Sequence, residues 1–426
     1  MDTAINTTRT EKLMDMENIF LTGATGFLGA FLLHELLVAT EAKVHCLVRA
    51  GSIGEGKRRI RSNLHAYSLW EAQWDARTIA VPGDLSRPRL GLTPEAFAVL
   101  SERIDAVYHN GATVNYVLPY AQLQAANVGG TQEILRLAGC GRHRPVYYVS
   151  TLRLFDSRRG GEPIREGDAV DQSQAIHSGY SQSKWVAEKL IRSAGSRGLP
   201  FIIFRPGLIS GDSRTGLSNV TDAVCRMIKG CIQLGSVPDM EMLIYLTPVD
   251  FVVRSLVHLS LQEASSGETF HLVTSTPTTW NQIVEALLAQ GYPLRRLPYE
   301  RWLRELRKAA RTGSAEALTP LLHYFSSEMP ENSVNRRFDS SYTLQRLETA
   351  GITCPRIDGA LLRTYLGVLS RVGFIESPPV GREKVNPAVA AAARTATAPR
   401  LAAWFRKLLL FLKGKYRRLH AILAYK

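Results

Sequence analysis

The chain has 426 residues, of which 45% are hydrophobic, and its formal net charge is +14. This length and composition can bury a large core, and they predict one large α/β domain with a smaller one rather than a repeat array. The charge is uneven, because residues 381–426 carry eleven lysines and arginines against a single acidic residue. The rest of the chain is only mildly basic, so we expect no nucleic-acid binding.

The five cysteines form no CxxC pair, and no group of His and Cys has the spacing of zinc ligands. Residues 1–17, which we interpret as an N-terminal arm, lack the apolar segment of a signal peptide. No run approaches the ~18 apolar residues of a membrane span. These features predict a cytoplasmic protein without a metal site.

A glycine-rich turn lies between an apolar run at 19–22 and an apolar helical pattern over 27–38. Its three glycines let the backbone pass close to a pyrophosphate, and the following helix would direct its positive N-terminal end at the phosphates. A second apolar run at 43–49 completes a βαβ unit, which favours dinucleotide binding over an accidental glycine turn. The residues predicted to bind the cofactor in this turn are Gly23, Thr25, Gly26, Phe27 and Leu28.

Further apolar runs alternate with helical patterns, for example at 120–137. The additional strands that these runs predict are 78–85, 105–112, 145–151, 201–205 and 268–273. Strands that alternate with helices are typical of a doubly wound parallel sheet, the Rossmann fold. Because such folds bind their ligand at the carboxyl ends of the strands, we expect the site at that edge of the sheet.

Tyr180 and Lys184 are four residues apart at the start of a helical pattern, which places both side chains on one face of the helix. A tyrosine titrates near ~10, so it donates and regains a proton at neutral pH only when a nearby cation stabilises the phenolate. With 15 tyrosines and 12 lysines in the chain, this spacing is expected about 0.4 times by chance. It therefore indicates a catalytic pair only in combination with the glycine turn. Thr151, at the end of a predicted strand, either satisfies a local backbone group or bonds the oxygen that gains charge during hydride transfer.

These motifs together resemble the extended short-chain dehydrogenase/reductases. The segments that carry this resemblance are 22–29, 110–112, 150–151 and 180–184. More narrowly, the chain is similar to the thioester reductase domains of nonribosomal peptide synthetases, polyketide synthases and carboxylic acid reductases. The segments that carry this narrower likeness are 46–50, 83–85, 88–92, 108–115 and 204–212. The likeness extends from about residue 18 to residue 374.

The resemblance implies that Thr151, Tyr180 and Lys184 are a catalytic trio. It also implies that the glycine turn binds the pyrophosphate, that Asp84 contacts the adenine and that residues 110–112 lie beside the nicotinamide half. The further cofactor-binding residues that it implies are Leu85, Asn110, Gly111, Ala112, Pro206, Gly207 and Leu208. We also expect Tyr180 and Lys184 to bind the cofactor, with Lys184 on its ribose.

The resemblance further implies a smaller, mostly helical substrate lobe after the large domain. We expect an NADP-binding Rossmann domain at 18–206, completed by about 245–275, and the substrate lobe at 207–244 and 276–375. The remaining predicted segments are a linker at 376–400 and a basic amphipathic helix at 401–426.

Arg49 indicates NADPH rather than NADH as the cofactor. NAD-binding units carry an acidic residue at the end of the second strand, which bonds the ribose hydroxyl, but here that position is an arginine. Arg59 is a candidate second contact to the 2′-phosphate, or else part of a solvated run of charges.

The leading hypothesis is an NADPH-dependent thioester reductase that releases an acyl or peptidyl thioester as an aldehyde, or after a second reduction as an alcohol. The chain shows no phosphopantetheine-bearing serine motif and no adenylating segment, so we expect an acyl or peptidyl carrier protein in trans. Arg153 and residues 158–159 depart from the small or apolar residues expected after Thr151, where the acyl group would bind. The alternatives are reduction of an acyl-CoA, ketone or aldehyde, a nucleotide-sugar epimerase or dehydratase, and a non-enzymatic NADP-sensing regulator.

The helix predicted at 401–426 combines apolar residues at three- and four-residue steps with basic faces. Three interpretations stay open. The helix packs on the reductase body, lies on an anionic membrane surface as a peripheral contact, or docks onto an acidic carrier protein.

Overall fold

The computed structural model of the chain describes residues 16–156, 161–170, 176, 178–262, 265–312, 317–318, 322, 325 and 336–378. The predicted arm up to residue 15, nearly all of the predicted linker and the predicted helix at 401–426 therefore lie outside the described residues. The two arginines at 158–159 also lie outside them.

The strands in the described part of the chain are short. They are β1 (Asn18–Thr22), β2 (Lys43–Val48), β3 (Thr78–Pro82), β4 (Ala106–His109), β5 (Val146–Val149), β6 (Phe201–Pro206), β7 (Leu208–Ser210), β8 (Ser236–Asp239), β9 (Leu243–Ile244), β10 (Leu246–Pro248), β11 (Thr269–Leu272), β12 (Thr278–Thr279) and β13 (Arg295–Pro298).

Helices connect most of these strands. They are α1 (Phe27–Ala39), α2 (Ile53–Ala66), α3 (Pro94–Arg103), α4 (Tyr120–Gln124), α5 (Gly130–Gly139), α6 (Gly179–Gly195), α7 (Ala223–Leu234), α8 (Val249–Ser260), α9 (Trp280–Ala289), α10 (Tyr299–Thr312), α11 (Ser341–Glu348) and α12 (Gly359–Arg371). Short 3-10 turns occur at Ala72–Trp74, Pro88–Gly91 and Leu152–Phe155, and a π turn at Ala125–Gly129 joins α4 to α5.

In the described part of the chain, seven strands form one parallel sheet in the order β11-β6-β5-β4-β1-β2-β3. The chain moves outward from β1 through β2 and β3 on one side, and from β4 to β11 on the other. The carboxyl ends of β1 and β4 therefore meet at the point where the strand order reverses, which is where Rossmann folds bind their ligand. The predicted doubly wound parallel sheet is confirmed.

Both faces of this sheet are buried. Ile19 and Leu21 of β1 belong to one apolar cluster, which includes side chains of α1, α2 and α8. Phe20, between them, belongs to a second cluster with side chains of α3, α5 and α6. Because helices cover both faces, the strands read as continuous apolar runs rather than as alternating ones.

The chain divides into two compact units. The first is drawn from Met1–Asn219, Met240–Asn281 and His323–Leu361, and the second from Val220–Asp239, Gln282–Leu322 and Leu362–Lys426. The first unit contains the seven-stranded sheet. In the second unit β8 pairs in parallel with β13, and α10 buries Trp302, whose indole Nε1 donates to the carbonyl of Ser236 at 3.3 Å.

Three features are absent from the described residues. No helix there is long and apolar enough to cross a membrane. No three His, Cys, Asp or Glu side chains in the same residues are grouped so that they could hold a metal ion. The five cysteines, all of which are described, form no disulfide.

Candidate active site

The glycine turn after β1 leaves no room for a side chain at Gly23 or Gly29. Gly23 has φ +82°, and a Cβ there would lie 2.8 Å from the side-chain amide nitrogen of Asn110 and 2.9 Å from Cα of Gly111. A Cβ on Gly29 would lie 1.9 Å from the carbonyl oxygen of Gly23. The glycines therefore bring α1, β1 and the end of β4 together at the reversal point of the sheet.

The start of α1 fits a pyrophosphate group. Its N-cap is Gly26, which has no side chain to satisfy the first amide groups of the helix. The side chain of Asn63, from α2, donates to the carbonyls of Ala24 and Gly26 at 3.0 Å each and so fixes the turn from outside. Backbone amides and the positive end of the helix macrodipole are the groups that bind phosphate at such a turn. Asn63 was not predicted from the sequence.

The two predicted 2′-phosphate ligands lie close together. Arg49 is exposed directly after β2, and the guanidinium group of Arg59, from α2, donates to the carbonyl of Arg49. Asp84 lies near this pair, and Ser86 donates to its carboxylate from both backbone (2.9 Å) and hydroxyl (2.7 Å). Burial opposes ionisation of Asp84, but the bonds from Ser86 and the charge of Arg49 keep its pKa below the ordinary value.

The segment after β4 is bonded to the end of β1. The hydroxyl of Thr22 accepts from the amide of Gly111 at 2.8 Å and bonds Nδ1 of His109 at 2.9 Å. The other ring nitrogen of His109 bonds the hydroxyl of Thr131 at 3.0 Å. Burial, with the charge of Lys184, lowers the pKa of His109 to about 3. His109 is therefore neutral at physiological pH and holds the segment in place.

Asn127 is a buried polar residue, bonded to α6, that was not identified from the sequence. Its side-chain oxygen Oδ1 accepts from the backbone amide of Thr113 at 2.7 Å. Its side-chain nitrogen Nδ2 donates to the carbonyl of Thr113 at 3.1 Å and to the hydroxyl of Ser183 at 2.9 Å. The helix predicted over 120–137 is interrupted here by the π turn, which carries Asn127. A buried asparagine within an apolar helical pattern is the signal that could have identified it.

Thr151 follows β5 and is 8% exposed. Its hydroxyl oxygen accepts from the amide of Arg153 at 3.2 Å and caps the 3-10 turn Leu152–Phe155. The local backbone role considered from the sequence is therefore present. A hydroxyl that accepts one bond can still donate its own proton, so this role is compatible with bonding a substrate oxygen.

Tyr180 and Lys184 lie in the first turns of α6, whose N-cap Ser178 accepts from the amide of Ser181 at 3.0 Å. The Lys184 ammonium donates to the carbonyl of Val149, the last residue of β5, at 2.6 Å. This contact places the buried Lys184 beside the strand end that leads into Thr151.

Aromatic and cationic groups surround the Tyr180 ring. Its ring centroid is 5.3 Å from that of Tyr116, edge to face. The Arg153 guanidinium lies 4.6 Å from the centroid of the Tyr116 ring. Burial and Tyr116 raise the pKa of Tyr180, and the charge of Arg153 opposes this. Tyr180 is therefore protonated at neutral pH, as a proton donor must be.

Lys184 differs from an exposed lysine in its titration. Burial lowers its pKa to about 7, and the charge of Glu188 opposes this. Its ammonium lies 4.1 Å from the centroid of the Tyr148 ring, on β5. The charge of Lys184 therefore depends on pH in the physiological range.

The predicted residues after β6 lie at the same edge of the sheet. The amide of Gly207 donates to the carbonyl of Leu272 at 3.0 Å, and the amide of Leu208 donates to the carbonyl of Tyr245 at 3.0 Å. A Cβ on Gly207 would lie 2.8 Å from that Tyr245 oxygen. Pro206 ends β6. The structure thus brings the predicted site residues to the carboxyl edge of the sheet within the first unit.

Comparison with known proteins places the same region in one family. A family model described as male sterility protein, which is an NAD-binding family, matches residues 21–256. The chain is 41% identical over 358 residues to a subunit of the linear gramicidin synthase of Brevibacillus parabrevis. It is 36% identical over 410 residues to the L-2-aminoadipate reductase large subunit of Penicillium chrysogenum. These alignments cover 83% and 89% of this chain, but only 7% and 29% of the two relatives.

A solved structure agrees with this assignment over its whole length. It is the terminal R domain from the myxalamid PKS-NRPS biosynthetic pathway, which is 43% identical to this chain. The TM-score is 0.81, and the match covers 88% of this chain and 100% of that domain.

Proposed function

The chain belongs to the NAD-binding male sterility protein family, and on this premise we propose that it uses NADPH to reduce a carrier-bound acyl or peptidyl thioester to an aldehyde. It is an oxidoreductase that takes a nicotinamide cofactor. The observation that best supports the reaction is that Thr151 and Lys184 meet at the end of β5, with Tyr180 one helical turn before Lys184. All three are at least nine-tenths buried and belong to the same unit as the glycine turn.

The chemistry of thioester reduction assigns a role to each member of the trio. A nicotinamide cofactor held by the glycine turn and by residues 110–112 would supply the hydride that the carbonyl carbon accepts. The carbonyl oxygen then gains negative charge, and the hydroxyl groups of Thr151 and Tyr180 are the donors that stabilise it. Tyr180 transfers its proton to this oxygen, which gives a hemithioacetal, and the Lys184 ammonium stabilises the phenolate that remains.

Release follows from the hemithioacetal. Its carbon–sulfur bond breaks, the hydroxyl proton leaves the oxygen, and the sulfur takes up a proton. The products are an aldehyde and the thiol of the pantetheine arm. One hydride and one proton are consumed for each thioester, so atoms and electrons balance.

Replacing Arg49 with alanine is expected to raise the KM for NADPH about 10- to 100-fold and to leave the KM for NADH nearly unchanged. Arg59 bonds the Arg49 carbonyl, so two guanidinium groups can pair with a 2′-phosphate that NADH lacks. A hydrogen bond to a charged group contributes about 1.5–3 kcal/mol, which corresponds to this range. Initial rates with each cofactor measure the change.

Arg58→Ala is the matched control for Arg49→Ala, because Arg58 is an exposed neighbour on α2 that is not assigned to the cofactor. Its KM for NADPH should stay within about twofold of the unmodified value. A lower KM for NADH than for NADPH in the unmodified chain would contradict the choice of NADPH.

We also propose that a carrier protein in trans delivers the thioester on its phosphopantetheine arm. The proposal is supported by the 43% identity to an R domain of a PKS-NRPS pathway. The test mixes the purified chain and NADPH with an octanoyl thioester. The octanoyl group is carried in turn by a holo-carrier protein, by CoA and by N-acetylcysteamine.

The expected result is loss of NADPH absorbance and formation of octanal, trapped as a hydrazone, with the highest kcat/KM for the carrier-bound thioester. A higher kcat/KM for octanoyl-CoA would favour an acyl-CoA reductase. Further acyl and peptidyl groups on the same carrier extend the test if octanoate is too poor a substrate. Binding of NADPH without its oxidation by any thioester in the set would contradict thioester reduction.

A further inference from the structure

Glu188 lies one helical turn after Lys184 on α6 and is 2% exposed. Its carboxylate accepts from the Arg205 guanidinium at 2.6 and 3.3 Å and from the Arg192 guanidinium at 3.1 and 3.3 Å. The Arg205 side chain is fully buried. A buried ion pair of this kind is weak evidence for a purely stabilising role, because its desolvation offsets much of its attraction.

The Glu188 carboxylate also contacts the end of β5, which leads into Thr151. The hydroxyl of Ser150 donates to Glu188 at 2.7 Å, and the amide of Ser150 donates to the carbonyl of Phe204 at 2.7 Å. Ser150 lies between Val149, whose carbonyl accepts from Lys184, and Thr151. Glu188 therefore fixes Ser150, which connects Val149, the hydrogen-bond acceptor of Lys184, to Thr151.

The charge of Glu188 also acts on Lys184. Side chains at i and i+4 are neighbours on a helix surface, and both of these are buried, so the interaction is weakly screened. Tyr180 lies one helical turn before Lys184. The other titratable or charged groups that interact with Lys184 are Glu188, Tyr148, His109 and, through Glu188, Arg205. The two tyrosines and His109 are neutral at physiological pH, so Glu188 provides the negative charge.

Ionisation of Glu188 is secured by its partners. Burial opposes the charged form, but the charge and hydrogen bonds of Arg205, with those of Arg192 and Ser150, keep the pKa of Glu188 well below its ordinary value. Glu188 thus stays negative throughout the range in which Lys184 titrates.

We propose that Glu188 is a positioning residue of the reduction site, which fixes the end of β5 through Ser150 and stabilises the Lys184 ammonium by its negative charge. The inference rests on the proposed reduction only for its kinetic consequences. Its two parts are separable, because Glu188→Gln removes the charge and keeps an oxygen that can accept from Ser150, whereas Ser150→Ala keeps the charge and removes the bond.

The first experiment measures Lys184 directly. Protein labelled with carbon-13 lysine is titrated by NMR, and the Lys184 signal is assigned from its absence in Lys184→Arg. In Glu188→Gln the midpoint of the Lys184 titration should fall by about 1 to 2 pH units, because the charge that favours the ammonium is gone. Glu133→Gln is the control, since Glu133 is an ion-paired glutamate of the same unit with no contact to Ser150. A midpoint that moves equally in both variants, or in neither, overturns the charge role.

This titration needs no turnover, so failure of the proposed function would leave it readable. If thioesters are reduced, the alkaline limb of kcat/KM should move to lower pH in Glu188→Gln and stay in place in Ser150→Ala. In Ser150→Ala the kcat should fall about 10- to 100-fold through misplacement of Thr151 and Lys184. Ser101→Ala, which removes another buried hydroxyl bonded at 2.7 Å, is the control and should leave kcat unchanged. A kcat for Ser150→Ala within about twofold of the unmodified value overturns the positioning role.

Chemical rescue separates positioning from general damage. Glu188, Arg192 and Arg205 line a cavity of about 740 Å³, so a small carboxylate has space to replace the side chain. In Glu188→Ala, formate should restore kcat and the Lys184 midpoint, whereas neutral formamide should not. An equal response to formate and formamide overturns the inference. If Glu188→Gln and Glu188→Ala do not fold, Ser150→Ala still decides the positioning role, because it leaves the ion pair intact, and its Lys184 midpoint should stay in place.

Discussion

Tyr180→Phe is expected to lower turnover of the thioester by about 10²- to 10⁴-fold, which is the contribution typical of a positioned proton donor. The substitution removes only the hydroxyl group, so the ring should keep its edge-to-face contact with Tyr116 and α6 should start unchanged. Binding of NADPH should persist, because the glycine turn lies on β1 and α1. Single-turnover rates of hydride transfer and NADPH binding by fluorescence measure the two parts separately.

Tyr147→Phe is the matched control for this prediction. Tyr147 is a buried tyrosine of β5 whose ring packs at 4.7 Å from that of Tyr108, in the apolar cluster of α1 and α8. The turnover of the Tyr147→Phe variant should stay within about threefold of the turnover of the unmodified chain. A near-normal rate for Tyr180→Phe would mean that this tyrosine is structural and that the catalytic trio is misassigned.

Lys184→Met is expected to lower turnover about 10²- to 10³-fold, as does removal of one electrostatic stabiliser from an active site. Methionine keeps much of the length and the apolar character of the lysine chain, so the packing beneath the Tyr148 ring should be retained. We expect NADPH binding to weaken as well, because we expect Lys184 to contact the cofactor ribose. Lys189→Met, an exposed lysine on the same helix, is the control.

The pH dependence of kcat/KM in the unmodified chain tests the role of Lys184 without a substitution. The buried Lys184 has a pKa of about 7, so it loses its proton as the pH rises through neutrality. The reaction needs the ammonium, and Tyr180 stays protonated because its own pKa is raised. The kcat/KM of the unmodified chain, which reports the free enzyme, should therefore fall on the alkaline side of about pH 7. A profile that stays flat well above neutral pH would contradict this assignment.

The sheet and the glycine turn could be predicted from local sequence alone. Strands covered on both faces leave continuous apolar runs, and the predicted runs from 19–22 to 268–273 correspond to the seven strands of the sheet. A turn with no room for a Cβ requires glycine, so it can be recognised in the sequence by glycines at fixed spacing, such as Gly23 and Gly29. Helical periodicity likewise placed Tyr180 and Lys184 on one face of α6. Each of these features depends on residues that are close in the chain.

The supports of the site could be found only in the tertiary structure. Asn127 looked like one position in a continuous helix, and its partner Ser183 lies 56 residues away. Glu188 was not identified from the sequence, and Arg205 is there only the last residue of the predicted strand at 201–205. Their roles follow from burial and from hydrogen bonds between α6, β5 and β6, which depend on how these elements pack. A local pattern determines which face of a helix or strand is apolar, but it does not determine which polar group meets another across the core.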